Sequence, residues 1–502
     1  MLVDLVLETA DLELFHTADA EPFVMVPQGT HSECWPLRGG PFRRWIARLF
    51  YDAQGKAAGG QALADALGVL EGEALFRGLE HEVHLRVAEH NGAIYIDLGD
   101  EYWQLIRVTA AGWEIVPEAE VRFRRSRGMR PLPYPVAGGT LDELRDFVNV
   151  DDDGWPLFAA WLVAALRPRG PYPVLQLHGE QGSAKSTSAR VGRELVDPNA
   201  APLRSEPRDG RDLMVAARNG WLIGYDNVSS LPTWLSDAVC RLSTGGGFST
   251  RELYSDLDEI LIDVQRPVLL NGIEDLATRG DLLDRSVVLY LPRIERYRPE
   301  HVFWAAFAEA RPRMLGALLD GLSAALANVA DVRLARPPRM ADFSLWATAA
   351  EPALGLSRGS FIAAYDGNRA DAHELALEAS PLTEPLRTLA YEGFSGTATT
   401  LLERLSGLVS EDVARRKSWP KGANALSGQL RRLAPDVRAI GIEIEFAREA
   451  SKGRRRLLTV RRAPEDIVQT VQTVQTVRTV DDADDADDAD DLSHVCSIEV
   501  ER

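Results

Sequence analysis

A glycine-rich segment constrains the fold of this 502-residue chain more than any other feature of its sequence. It reads HGEQGSAKST, residues 178–187, and it follows the apolar run YPVLQL. The sequence SARVGRELV, which directly follows it, has the apolar spacing of a helix. Glycine permits the dihedrals that point backbone N–H groups into such a loop, and the positive N-terminal end of a helix favours an anion. The segment therefore predicts a phosphate-binding loop between a strand and a helix.

The residues of this loop are candidates for binding ATP and Mg²⁺. Lys185 supplies the charge that the β- and γ-phosphates need, and the Ser186 hydroxyl is a candidate Mg²⁺ ligand. Where glycine usually precedes the lysine this chain has Ala184, which adds a Cβ near the phosphates. The alternative is a loop of small residues with a chance lysine. The predicted ATP-binding set is Gly179, Glu180, Gln181, Gly182, Ser183, Ala184, Lys185, Ser186 and Thr187.

A second apolar run, WLIGYDN, supplies an acidic residue at the end of a predicted strand. Asp226 is a candidate for holding the Mg²⁺ and its water shell. Many ATPases carry a further acid at the next position to polarise the attacking water, but this chain has Asn227. Either another acid, such as Glu180 or Glu252, does that work, or hydrolysis is slow.

Two later positions are candidate catalytic residues. Asn271 ends the run RPVLLN, where a polar side chain can orient the attacking water; the alternative is an ordinary strand-to-loop turn. Arg285 precedes the run SVVLYLP. An arginine presented to the γ-phosphate of a neighbouring subunit can raise the rate by about 10³–10⁵. The alternative for Arg285 is a salt bridge with Asp281 or Asp284, and Arg279 is its competitor.

Strands that alternate with helices from residue 172 onward predict an α/β fold with a largely parallel sheet. LDELRDFV and WPLFAAWLVAAL are predicted as amphipathic lead-in helices, and the Pro-, Gly- and Arg-rich segment 124–139 as a linker. Helices fill 300–390. The predicted division is an accessory α+β domain at 1–138, an ATPase domain at 139–330, a helical connector at 331–390, a winged-helix domain at 391–463 and a disordered acidic tail at 464–502.

The C-terminal part is basic, although the whole chain has a net charge of −19. Residues 397–462 hold 15 Lys and Arg against 7 Asp and Glu, whereas the run at 481–491 holds eight Asp. Two helical runs followed by strand, basic turn and strand predict a winged helix. Phosphate neutralisation would give it affinity for DNA; the alternative is a solvated basic face. The candidate DNA contacts are Arg431, Arg432, Lys452, Arg454, Arg455 and Arg456.

In order, the segments GEQGSAKST, YDN, TGGGFSTRELY, RPVLLNG and DR resemble superfamily-3 helicases, a branch of the AAA+ ATPases. The closer resemblance is to the bacterial and phage ATP-binding proteins that form the helicase half of primase–helicases. The resemblance implies a P-loop NTPase core, homo-hexamers with ATP sites between subunits, and single-stranded DNA in a central pore. It also implies residue roles: nucleotide binding for Lys185, Ser186, Asp226 and Asn271, action in trans for Arg285, and DNA contact for Arg251.

Three functions remain open from the sequence. The first is an ATP-driven DNA helicase or translocase that replicates a phage, plasmid or integrated element. The second is a slow ATP switch, an initiator or loader, and the third is a DNA-binding regulator that senses ATP. No primase domain is found, since Asp97 and Asp100 have the wrong spacing, so a primase would be a separate partner. The lack of an 18-residue apolar run and the three sparse cysteines predict a cytoplasmic protein without a membrane span.

Overall fold

The computed structural model describes residues 2–9, 11–229, 231–246, 248–251, 259–262, 264–272, 280–448 and 456–463. Several predicted features lie outside the described residues: Glu252, Arg279, Lys452, Arg454, Arg455 and the acidic tail at 464–502. The chain is a mixed α/β structure. Within the described ranges, no helix is long and apolar enough to cross a membrane.

The first unit is a small sheet covered by helices. Its elements are α1 (Leu2–Thr9), β1 (Glu13–His16), β2 (Pro22–Gln28), β3 (His31–Pro36), α2 (Gly40–Gln54), α3 (Gly60–Phe76) and β4 (Leu79–Glu80). The strand order is β3-β2-β1-β4, and only β4 runs parallel to its neighbour. The helices α2 and α3 pack on this sheet through buried apolar residues that include Phe42, Ile46 and Leu70.

A second unit follows with two sheets, and its four-stranded sheet shares a hydrophobic core with the central unit. Its elements are β5 (Val83–His84), β6 (Val87–His90), β7 (Ala93–Asp97), β8 (Leu105–Thr109), β9 (Gly112–Val116) and β10 (Arg122–Phe123). Strands β6 to β9 form an antiparallel meander, and β10 pairs with β5. The Trp113 indole donates a hydrogen bond of 2.9 Å to Asp320, far along the chain.

The segment 124–139 is an ordered connection rather than the predicted linker. The Arg125 guanidinium donates two hydrogen bonds, of 2.9 and 2.6 Å, to the Asp97 carboxylate. The backbone N–H of Val136 donates to the carbonyl of Pro312 at 2.9 Å. Proline and glycine make this segment irregular, but its contacts on both sides hold it in place.

The central unit contains a four-stranded parallel sheet. In chain order its elements are α4 (Trp155–Ala164), β11 (Val174–His178), α5 (Lys185–Val196), α6 (Gly210–Asn219), β12 (Ile223–Tyr225), α7 (Thr233–Thr244), β13 (Phe248–Arg251), β14 (Glu259–Ile262), β15 (Val268–Asn271), α8 (Gly280–Leu283) and β16 (Ser286–Tyr290). The order β12-β15-β11-β16 confirms the predicted parallel sheet, while β13 and β14 pair apart from it. Because parallel strands end at one edge, the residues that follow β11, β12 and β15 meet there.

Helices α9 (Glu300–Asn328), α10 (Ala341–Ala350) and α11 (Ser360–Ala379) follow the sheet and confirm the predicted helical stretch. Both predicted lead-in segments are helical, but neither matches its prediction in full. LDELRDFV forms only a 3-10 helix, Leu141–Asp146, and every residue of α4 is buried, so α4 is not amphipathic. The reason is that α4 packs against α9, α10 and α11 as well as α5.

The C-terminal unit consists of helices beside a three-stranded antiparallel sheet. Its elements are α12 (Thr383–Glu392), β17 (Phe394–Gly396), α13 (Ala398–Gly407), α14 (Glu411–Arg415), α15 (Ala423–Ala439), β18 (Ile442–Arg448) and β19 (Arg456–Arg462), with strand order β17-β19-β18. The two predicted helical runs and the two strands are present as α13, α15, β18 and β19, with the short helix α14 between the first two. The Thr397 hydroxyl caps α13. Sequence reasoning missed the three-residue strand β17.

Candidate nucleotide site and nucleic-acid interface

The glycine-rich loop joins the end of β11 to the start of α5, in the context that the sequence predicts. Gly179 and Gly182 have φ angles of 144° and 86°, which L side chains rarely adopt. A Cβ at Gly179 would lie 2.5 Å from the Leu291 carbonyl oxygen, and one at Gly182 would lie 2.8 Å from the Tyr297 hydroxyl. Both positions therefore favour glycine for the backbone angle, and Gly179 also for space, since the exposed Tyr297 side chain near Gly182 can move.

Ala184, which replaces the usual glycine before the lysine, has a left-handed backbone. Its φ is 57° and its ψ is 26°, and it begins α5 without a side-chain capping bond. Such a conformation costs a residue with a Cβ roughly 1–2 kcal/mol. The loop therefore holds an unfavourable geometry at the residue directly before Lys185.

Lys185 folds back onto its own loop. Its ammonium donates to the carbonyl oxygens of Gly179, at 2.6 Å, and Glu180, at 2.8 Å. Partial burial lowers the pKa of Lys185, while the nearby Asp226 carboxylate acts in the opposite direction. The Glu180 side chain is exposed at the loop. Phosphate oxygens of a bound nucleotide could replace these carbonyl oxygens as acceptors for the Lys185 ammonium.

The Ser186 hydroxyl donates a hydrogen bond of 2.8 Å to the carboxylate of Asp226. Ser186 lies in the first turn of α5 and Asp226 directly follows β12, so the parallel sheet brings the two predicted metal ligands together. Hydroxyl and carboxylate oxygens are the donors that Mg²⁺ prefers. These two residues therefore fit a Mg²⁺ ion held beside the loop.

Asn271 and Asn227 contact each other at the same edge of the sheet. The Asn271 side-chain oxygen accepts the backbone N–H of Asn227 at 2.7 Å, and its backbone carbonyl accepts the N–H of Val228. The side-chain nitrogen of Asn271 is buried and has no partner among the described residues. Asn227 has a φ of 54°, a conformation that asparagine adopts more readily than most residues. The structure therefore gives Asn227 a backbone role that the sequence did not reveal.

Asn149 anchors the loop, and no motif pointed to it. Its side-chain nitrogen donates to the carbonyl of Ser183 at 3.0 Å and to that of Pro292, and its backbone N–H donates to the Ser188 hydroxyl at 3.1 Å. It thereby connects the loop to α5 and to the segment after β16. The sequence carries no signal for this contact, because Asn149 precedes Ser183 by 34 residues.

Arg285 lies at the opposite end of the sheet from the loop. The register pairs Val174 with Ser286 and His178 with Tyr290, so Arg285 stands at the amino ends of the strands. Five strand residues span about 16 Å, too far for Arg285 to reach a nucleotide on its own loop. Its guanidinium donates to the Asp281 backbone carbonyl at 2.8 Å and to the Asp281 carboxylate. The salt bridge that the sequence left open is therefore present.

Helix α15 presents arginines to solvent. Its buried side carries Leu426, Leu430 and Val437, which belong to the core of the C-terminal unit. Arg431 and Arg432 are exposed, and the Arg431 guanidinium lies 4.3 Å from the centroid of the Phe446 ring. Such a contact fixes the arginine beside the sheet.

Two further arginines extend this surface, and sequence reasoning missed one of them. Arg448 and Arg456 are exposed and lie directly opposite each other on β18 and β19. Like charges in this arrangement destabilise a sheet unless a counter-charge lies between them. Side chains at i and i+2 share a face, so Phe446 and Arg448 point the same way. We call Arg431, Phe446, Arg448 and Arg456 the basic strip.

Arg251, a DNA contact implied by the resemblance, ends β13 opposite Glu259 of β14. This pair of strands lies apart from the parallel sheet. The role of Arg251 stays a prediction, as do the roles of the loop residues and of the arginines on α15.

Two family models match consecutive parts of the chain. The actinomycete integrative conjugative element replication protein family matches residues 140–372, and the C-terminal domain of the same RepA family matches residues 382–475. Together they cover well over half of the 502 residues. The chain belongs to this RepA family. The prediction of a replication protein from a mobile element is therefore confirmed, and the family-matched regions include the loop, Asp226, Asn271, Arg285 and the basic strip.

Solved structures with similar chains include two proteins. An apo structure of the NrS-1 C-terminal region is 11% identical to this RepA-family chain, with a TM-score of 0.41, and covers 92% of this chain and 99% of its own. A structure described as the active helicase Cch of SCCmec type IV is 11% identical, with a TM-score of 0.45, and covers 91% and 94%. At TM-scores of 0.41 and 0.45 these likenesses say nothing about activity. No curated protein matches the chain significantly in sequence.

Proposed function

We propose that this RepA-family protein is an ATP-dependent DNA helicase or translocase that replicates its conjugative element. The contact between Ser186 and Asp226 at 2.8 Å carries the proposal, because it unites a phosphate loop and an acidic strand end into a magnesium site. Lys185 would hold the β- and γ-phosphates, and the N-terminal end of α5 would add its partial positive charge. Bound Mg²⁺ would neutralise charge that develops on the phosphates.

The strand order supports a P-loop NTPase core of the AAA+ type. β11, which carries the loop, lies between β15 and β16, and β12 lies beyond β15. This arrangement sets Asn271 between Asp226 and the loop, where its unpartnered side-chain nitrogen can donate to a water or a phosphate oxygen. We therefore propose that Asn271 orients the attacking water. Arg285, which cannot reach its own loop, would act on the site of a neighbouring subunit in a homo-hexamer.

The order of elements in the C-terminal unit supports a winged helix. A helix, a short strand, three further helices and two strands follow one another, and β17 joins the sheet beside β19. The basic strip would contact DNA phosphates, which resolves the unfavourable pairing of Arg448 with Arg456. The core of this unit already includes Leu377 and Leu386, so we place its start before residue 391.

A slow ATP switch, an initiator or loader, is the second candidate. Asn227 stands where many ATPases carry an acid, Ala184 strains the loop, and Lys185 bonds its own loop carbonyls. All three observations favour slow turnover. A strand-displacement assay on a forked duplex with MgATP separates the candidates. Wild-type protein that separates strands, with Lys185→Ala inactive, supports the helicase; ATP-dependent DNA binding without strand separation supports the switch.

A further inference from the structure

A chain of charged groups connects the C-terminal unit to the segment that carries Arg285. The ring of His373, on α11, lies between two carboxylates: its Nδ1 is 2.6 Å from Asp436 of α15, and its Nε2 is 3.6 Å from Asp284. Asp284 directly precedes Arg285 in the chain. We call Asp284, His373 and Asp436 the relay. It joins three elements that lie far apart in sequence.

Asp436, the end of the relay on α15, is tightly packed. Asp436 is only 2% exposed, and a Cβ added at Gly280 of α8 would lie 2.9 Å from its carboxylate. A movement of α15 therefore cannot leave Asp436 and α8 unaffected. On the same helix, Arg431 and Arg432 lie four or five residues earlier and face solvent.

Helix α11 is also fixed to the sheet. The side chain of Asn368 accepts the backbone N–H of Val288 at 3.0 Å and donates to the carbonyl of the same residue. These bonds occupy the edge of β16, the strand that begins directly after Arg285. α11 thus has one rigid attachment to the sheet, and His373 lies five residues further along it.

Around Arg285 the acidic groups are shared. Arg339 donates to Asp284 at 3.0 Å and to Asp281 at 3.3 Å, and Asp281 also accepts from Arg285. Arg369 lies 3.6 Å from Asp284. If Asp284 shifts, Arg339 bonds more or less strongly to Asp281. The strength of the Asp281–Arg285 salt bridge changes as a result.

We propose that the relay positions Arg285 in response to nucleic acid bound at α15. This inference rests on the proposed function, because it requires DNA at the basic strip and action of Arg285 in trans. DNA phosphates that engage Arg431 displace α15, Asp436 moves with it, and His373 passes the displacement to Asp284. Arg285 is then set for the neighbouring nucleotide. DNA binding and ATP turnover are thereby coupled through this chain of contacts.

His373→Asn tests the relay in the full-length protein. Asparagine keeps a polar nitrogen near Asp436 and removes the one that faces Asp284, which retains Arg339 and Arg369 as partners. Glu374→Asn is the matched control, since it places the same residue at an exposed neighbouring position of α11. For each protein, kcat and KM for ATP hydrolysis are measured with and without DNA, together with DNA affinity and Tm.

We expect His373→Asn to retain its Tm, its DNA affinity and its KM. The DNA-dependent increase in kcat should fall by on the order of fivefold or more, the usual lower range for coupling between sites. Arg285→Ala should lower kcat both with and without DNA and leave no DNA-dependent increase, and the double variant should show no further loss. Glu374→Asn should behave as wild type.

A purely structural contact gives a different pattern. If His373→Asn and Asp436→Asn both stay folded and keep the full DNA-dependent increase, the relay is only a staple between α11 and α15 and the inference is overturned. If Arg285→Ala adds its loss to theirs, the relay does not act through Arg285. Wild-type protein whose hydrolysis ignores DNA overturns the proposed function itself, which is a distinguishable result.

Discussion

Ser186 and Asp226 stand forty positions apart, yet the Ser186 hydroxyl donates a hydrogen bond of 2.8 Å to the Asp226 carboxylate. The parallel sheet produces this contact, because β11 and β12 end at the same edge with β15 between them. A serine, a carboxylate and Lys185 thereby form one surface for a magnesium nucleotide.

Lys185→Ala should weaken ATP binding by at least about tenfold and leave the fold intact, because hydrogen bonds to charged groups contribute about 1.5–3 kcal/mol. Fluorescent ATP-analogue titration measures the affinity, and the thermal melting curve reports the fold. Lys56→Ala, which removes an exposed lysine from the first unit, is the control. Equal affinity in the two variants would rule out the loop as the phosphate site.

Asp226→Asn should retain nucleotide binding in the absence of metal and lose Mg²⁺-dependent hydrolysis. The amide keeps the size of the side chain and a hydrogen-bond acceptor for Ser186, but it removes the negative charge that holds the ion. Phosphate release across a Mg²⁺ series measures the effect, with Asp153→Asn as an exposed control. Undiminished hydrolysis would remove Asp226 from the site.

Acidic replacements at Asn227 should raise turnover if a missing acid limits it. Asn227→Asp should do so without loss of stability, because aspartate tolerates the left-handed φ of 54°. Asn227→Glu places the carboxylate further out and should cost about 1 kcal/mol of stability from backbone strain. Steady-state kcat and Tm of the two variants check this. Unchanged kcat in both would mean that Asn227 serves the turn alone.

Arg448→Ala combined with Arg456→Ala should weaken DNA binding and slightly stabilise the fold, since it removes a like-charge pair. The plot of log K against log salt on duplex DNA should become flatter: its negative slope should decrease in magnitude by about 1.8, about 0.9 for each lost phosphate contact. Arg387→Ala with Arg415→Ala removes the same charge from exposed helices of the region. Parallel slopes for the two double variants would identify the strip as a solvated face.

Deletion of residues 465–502 should leave ATP hydrolysis nearly unchanged and tighten DNA binding. The eight Asp at 481–491 compete with DNA phosphates for the basic unit, so their loss should matter most at low salt. DNA affinity at two salt concentrations tests this. Looser binding after the deletion would contradict the competition.

The sequence predicted the parts of the fold that depend on local pattern. An apolar run and the glycine-rich loop located β11 and α5, and helical apolar spacing located α15. These signals suffice because a buried strand shows as a short apolar run before a turn signal, and a helix with one buried face shows its own periodicity. The candidate nucleotide residues come together for the same reason, since each follows a recognisable strand.

Features that depend on distant partners were not predicted. α4 is buried on all sides because other helices surround it, and the segment 124–139 is ordered by contacts with residues such as Pro312. The contacts of Asn149 and the pairing of Arg448 with Arg456 exist only in the folded chain. No local pattern encodes which residues lie opposite each other on neighbouring strands.

Hydrolysis of MgATP by the full-length protein, titrated with single-stranded DNA, tests the central claim most directly. The account predicts a rate that rises with DNA and saturates, and that is lost in Lys185→Ala and Asp226→Asn. A rate that DNA leaves unchanged, or one that persists undiminished in both variants, would contradict an ATP site coupled to DNA.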